Sequence, residues 1–148
     1  RRSSITRIEP VQLQLNADPY KIVMMAVLLQ LAHWKKSLEV YTELVRRYPT
    51  IAYFNRSRSS VVLEVIKGLG LAQKRIDQYK KIFGWVDQHG WPKNNEELAA
   101  MPAGRYIKEC YQIFVLKDMK LIPNDKVLKA YLAQETNQTV LPGMTKDE

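Results

Sequence analysis

An all-α fold is what this sequence predicts, on three observations. Apolar residues recur at three-to-four spacing nearly everywhere, no window alternates as a half-buried strand would, and Pro and Gly pairs cut the pattern into helix-length pieces. Asn16-Ala17-Asp18-Pro19 offers capping side chains and a proline suited to a first helical turn, and Ile22, Val23, Ala26, Val27 and Leu29 follow on one face, so a buried first helix is expected. Trp34, Leu38, Tyr41, Leu44 and Val45 form the next stripe, closed by Tyr48-Pro49 because proline cannot continue a helix. Residues 57 to 67 supply a third helix, with Ser57 or Ser59 as cap and Gly68-Leu69-Gly70 as stop. A fourth runs from 73 to 88 and is broken by His89-Gly90-Trp91-Pro92; short helices follow at 94 to 101, 104 to 116 and 124 to 134. Residues 136–148 carry Gln, Asn, Thr, Pro and Gly, and flexible tails are expected there and at 1–8 around an ordered domain at 9–135.

Composition narrows the classes of function. With 148 residues, 46% of them hydrophobic, the chain suffices for one compact domain or two small lobes sharing an interface. The balance of 23 Lys+Arg against 15 Asp+Glu leaves a formal charge of +8, which favours an acidic partner. The longest apolar run, Ile22 to Leu29, is far too short for a bilayer span, and nothing hydrophobic backs Arg1-Arg2-Ser3-Ser4 as a secretory signal would require. Cys110 is the one cysteine, so no disulfide forms within the chain and no cysteine-ligated zinc or iron–sulfur cluster can be built. His33 and His89 stand far apart without acidic companions at ligand spacing, so no metal site is expected.

Taken singly, the polar residues have ordinary readings. Asp125 after Asn124 at a helix start reads as a cap, Gln12 as a surface glutamine, Tyr106 as a half-buried core aromatic, and Leu31 and Leu71 as core leucines. Cys110 reads as a small buried hydrophobe, and Lys74-Arg75 and Lys80-Lys81 as solvated polar faces.

Their order changes the weighing. Val11-Gln12, Asp18-Pro19-Tyr20-Lys21, Leu29-Gln30-Leu31, Tyr48-Pro49, Leu69-Gly70-Leu71, Gly104-Arg105-Tyr106 and Pro123-Asn124-Asp125 follow the order and spacing of the helix-hairpin-helix DNA glycosylases. The resemblance covers residues 5 to 135 and is strongest to the glycosylase domains of the methyl-CpG-binding-domain type, which remove T or U mispaired with G. It implies a two-lobed helical bundle without an iron–sulfur cluster, because the four-cysteine loop of other members is missing. It also implies a monofunctional enzyme of base excision repair that acts on double-stranded DNA in the nucleus as a monomer, with no membrane partner.

The resemblance assigns roles residue by residue. Asp125 corresponds to the catalytic aspartate, whose carboxylate stabilises positive charge developing on the sugar and orients the attacking water. Tyr106 occupies the place where strand-cutting members carry a lysine, so no Schiff base can form and the residue instead walls the base pocket. Gln12 resembles the amide that reads the flipped pyrimidine, and Leu31 and Leu71 resemble the two residues pushed into the duplex, Leu31 standing where the thymine enzyme has arginine. Gly70, Pro102, Ala103, Gly104 and Arg105 fall at the DNA-backbone contacts. There Pro102 replaces the first glycine of the family hairpin, a turn that takes no cofactor beyond a loosely held monovalent cation. Ala26 stands where adenine-removing members need a glutamate, and the loop from Phe114 to Pro123 is one residue shorter than in the thymine enzyme. Two other readings remain: the same fold used to bind or modify DNA without hydrolysis, and a basic helical adaptor for an acidic protein.

Overall fold

The structure is a computed structural model that describes residues 10–140, with side chains through Glu135. The expected tail at 1–8 lies outside the described residues, as do 141–148. All regular structure among the described residues is helical, with no strand among them.

Helix α1 (Pro19–Leu29) begins as anticipated: Pro19 takes the first turn and the Asp18 carboxylate accepts the Lys21 N–H at 3.2 Å. Every residue from Ile22 to Leu28 is fully buried, so α1 is wrapped on all sides and its apolar face is no single stripe. It packs against α2 (Trp34–Arg47), α5 (Ala72–His89) and α7 (Arg105–Phe114). Helix α2 buries Ser37, Tyr41 and Leu44, and the Ser37 hydroxyl is satisfied by donating to the Leu28 carbonyl at 3.0 Å. Trp34, expected in that buried stripe, is instead 48% exposed at the start of the helix.

Helix α3 (Ile51–Asn55), capped by Thr50, was not anticipated, because five residues are too few to display a period. Neither expected serine caps α4 (Ser59–Ile66). Ser59 is its first helical residue, and the Ser57 hydroxyl donates to the Phe54 carbonyl at 2.6 Å. Helix α6 (Asn95–Ala100) is capped by Asn94, which accepts the Glu97 N–H at 2.9 Å. Helix α8 (Lys126–Val140) runs past residue 135, where a tail was expected: no Gly or Pro interrupts it before Pro142. The helices form two groups that share α1. On one side α2 and α5 pack on α4 and α3 respectively, with α4 also against α5; on the other, α7 packs on α6 and on a 3₁₀ turn at Val11–Leu15.

An aromatic layer of Tyr20, Phe54, Tyr79, Phe83 and Trp91 fills the interior, with ring centroids 5.1 to 6.2 Å apart. The Tyr79 hydroxyl donates to the Met24 carbonyl at 2.7 Å and that of Tyr111 to Pro92 at 2.8 Å. Burial pushes the Tyr41 hydroxyl and the Cys110 thiol each up to about 12, from ordinary values of 10.0 and 9.0. Both groups therefore keep their protons in the folded state at pH values where the unfolded chain releases them. Their contribution is fully present below pH 9.0 and is lost as pH rises toward about 12. The melting temperature followed by circular dichroism should accordingly fall with increasing slope beyond pH 9.0; no fall between pH 9.0 and about 12 would contradict this.

Candidate functional site

Gln12 sits on the 3₁₀ turn at Val11–Leu15 and is only 3% exposed, which rules out the surface-glutamine reading. Its amide Nε2 donates to the Tyr106 hydroxyl at 3.1 Å and to the Cys110 sulfur at 3.5 Å. Tyr106 and Cys110 lie one turn apart on α7, so a single helical face meets a segment 94 residues away. Burial moves the Tyr106 hydroxyl far above the ordinary phenol range, and Cys110 and then Asp125 push it further, while the bond from Gln12 opposes them. Burial is also the leading cause at Cys110, where Asp125 and Glu109 raise the thiol against the hydrogen bonds from Tyr106 and Gln12. The Asp125 carboxylate is thus within electrostatic range of both groups. The result is a cluster of three uncharged polar groups near one carboxylate. Cys110 joins this cluster although its residue type gave no sign of it.

Asp125 is half-buried at the start of α8, and its Oδ2 accepts the Leu128 N–H at 2.9 Å. The cap reading is therefore correct, and it uses one carboxylate oxygen. The preceding loop is tied at both ends. Arg105 donates from Nε to Glu109 at 2.8 Å and from Nη2 to the Ile122 carbonyl at 2.8 Å, linking the first turn of α7 to the approach to Asp125. Asp118 accepts from Asn95 at 2.7 Å and from Gln112 at 3.2 Å. The Arg105 side chain, expected at a phosphate, is 59% exposed while pairing with the buried Glu109 and the Ile122 carbonyl.

A cleft of about 650 Å³ opens between α5 and the turn at residues 101–104, and Leu31, Leu71, Lys74, Lys81 and Lys108 border it. Gln12, Tyr106 and Asp125 are not among its walls. Leu31 is 91% exposed and Leu71 49%, so neither is a core leucine. Both have left-handed backbones, with φ of 55° and 51°. Lys74 and Lys81, read as solvated, fall two helical turns apart on one face of α5 and point the same way. Arg75, read with them, is fully buried.

The hairpin turn differs from expectation in how it bends. Gly104 caps α7 at φ −72° and ψ 175°, an extended conformation open to any residue, and the bend comes from the Ala103 N–H donating to the Met101 carbonyl at 2.8 Å. The surroundings of Gly104 are open, since a β-carbon there would meet nothing within 4 Å, and no side-chain cap covers the start of α7. Gly70 does need to be glycine, with φ at 87°, and its carbonyl accepts from the buried Arg75. Among the described residues no group of three or more His, Cys, Asp or Glu could hold a metal ion, and no helix is long and apolar enough to cross a membrane.

This all-α architecture, with a buried central helix and a hairpin beside the cleft, is the fold of a DNA glycosylase. The structure of a thermostable thymine-DNA glycosylase superposes on 90% of this chain and 80% of its own with a TM-score of 0.67 at 17% sequence identity. In sequence, the thymine-DNA glycosylase of Aeropyrum pernix is 30% identical over 95 residues, which are 62% of this chain and 43% of that protein. The chain therefore spans less than half the length of the curated relative it matches. No family model matches it. Fold and sequence agree in their resemblance to thymine-DNA glycosylases.

Proposed function

We propose that the chain is a monofunctional DNA glycosylase that removes thymine or uracil mispaired with guanine. The observation that carries this reading is the bond between Gln12 and Tyr106 across 94 residues, with Asp125 close enough to act electrostatically on Tyr106. The resemblance to thymine-DNA glycosylase in sequence and fold supports the class of reaction.

In this reading a flipped pyrimidine enters beside Gln12, whose amide both donates and accepts and so matches the O and N–H groups of the Watson–Crick edge. The Gln12 bond to Tyr106 opens, and the ring of Tyr106 becomes a wall of the pocket. As the bond from C1′ to the base nitrogen breaks, its electron pair leaves with the base and the sugar becomes positive. The Asp125 carboxylate stabilises that charge and orients a water whose oxygen bonds to C1′ and whose surplus proton ends on the departed base. Leu31 and Leu71 fill the space the base vacates. Lys74, Lys81, Lys108 and the uncapped N–H groups of α7 attract the phosphates on either side.

Duplexes carrying G·T, G·U or A·U in one sequence, incubated with the protein and then treated with alkali, test the proposal. Scission is expected for the two mispairs, and only after alkali, because Tyr106 offers no amine to the sugar. Absence of scission from both mispairs sinks it. Salt-sensitive duplex binding without scission would support a non-hydrolytic DNA module, a reading favoured by the fact that the recognition groups here bond to one another.

A further inference from the structure

Arg75 is 2% exposed, and its guanidinium donates to three main-chain carbonyls: Nη1 to Val27 at 2.7 Å, Nη2 to Gln30 at 2.9 Å and Nε to Gly70 at 2.9 Å. The positions of these acceptors are informative. Gln30 and Gly70 immediately precede Leu31 and Leu71, the two exposed, left-handed residues bordering the cleft. A peptide unit is planar, so holding the carbonyl of residue 30 or 70 also fixes the N–H of the leucine that follows and the axis about which that leucine turns. One side chain therefore sets the departure direction of both leucines. The third bond anchors it to Val27, whose carbonyl lies in the last turn of α1, where intrahelical partners run out and a cation is favoured. Gln30 adds a second tie by donating to Gln78 on α5 at 3.2 Å.

We propose that Arg75 is a positioning residue that couples Leu31 to Leu71, so that the two enter the duplex as a rigid pair. The inference rests on the reading of these leucines as the groups that fill the vacated space. Arginine suits the task because its planar fork presents several donors at fixed angles, whereas lysine is a single flexible point.

The test is equilibrium binding, read by fluorescence anisotropy, to a duplex with a tetrahydrofuran abasic analogue opposite guanine and to the intact duplex of the same sequence. It uses the wild type, Arg75→Lys, Arg75→Gln, the pair Leu31→Ala with Leu71→Ala, and the combinations. Each Arg75 variant is expected to lose about tenfold of the preference for the abasic analogue, a coupling typical of residues acting through one another. Binding to the intact duplex should stay unchanged. In the background lacking both leucines the Arg75 change should have no further effect. An equal loss in both backgrounds would overturn the inference, and so would an intact preference in the variants. Unfolding of both Arg75 variants would do the same by making the residue a general core support. A wild type with no preference for the analogue removes the underlying reading of the leucines as well, which separates that failure from failure of the clamp alone.

Discussion

Asp125→Asn should lower base release from a G·U duplex by roughly 10²- to 10⁴-fold, the usual contribution of a positioned acid–base group. The substitution separates two roles that coincide in one side chain. Asparagine is as good a helix cap as aspartate and keeps an oxygen for the Leu128 N–H, so α8 stays anchored and the melting temperature should stay close to that of the wild type. What disappears is the negative charge that faces Tyr106 and Cys110. Asp125→Ala, by contrast, loses the cap too and should cost about 1 kcal/mol of stability. Single-turnover rates on G·U duplex and thermal melts of both variants check this together. A full rate with asparagine would reduce Asp125 to a cap.

Leu31→Gly is expected to move stability and activity in opposite directions. A leucine held at φ 55° carries a left-handed penalty of about 1–2 kcal/mol, and at 91% exposure it recovers almost nothing by burial. Glycine removes that strain, and its own larger unfolded-state entropy cancels only part of the gain, so the melting temperature should hold or rise. Base release should nonetheless fall by about tenfold or more, because nothing then offsets the few kcal/mol needed to unstack the target nucleotide. Calorimetry and single-turnover assays on one preparation decide the matter. Lower stability with unchanged activity would make Leu31 an ordinary loop residue. Backbone strain without a packing reward is the kind of feature that function maintains.

The helices were legible where local chemistry is strong. Asp18-Pro19 announces α1, and Tyr48-Pro49 and Gly90 close α2 and α5. Short elements escaped notice, α3 and the 3₁₀ turn at Val11–Leu15 among them, because a single turn has no period to detect. At the site, residue type pointed to Asp125, Gln12 and Tyr106 only once their order along the chain was considered. The bond between Gln12 and Tyr106 spans 94 residues and exists only in three dimensions. Arg75 was misread for the same reason. Beside Lys74 it looked like half of a solvated basic pair, and its burial is decided by carbonyls 45 and 48 residues away. The exposure of Leu31 and Leu71 was equally invisible, since a leucine carries no mark of whether it will be covered.

The mutual bonding of Gln12, Tyr106 and Cys110 bears on turnover. An empty recess lined by unpaired polar groups would grip any loose pyrimidine, including the one just cut free. Here Gln12, Tyr106 and Cys110 already bond to one another, so in the proposed reaction a liberated nucleobase would compete with contacts the protein makes to itself and gain only the difference. The attached sugar and phosphates supply the remaining hold on an uncleaved nucleotide. Once the glycosidic link is gone that leverage goes with it, and weak product inhibition is the outcome the proposed reaction predicts from the resting arrangement of three side chains.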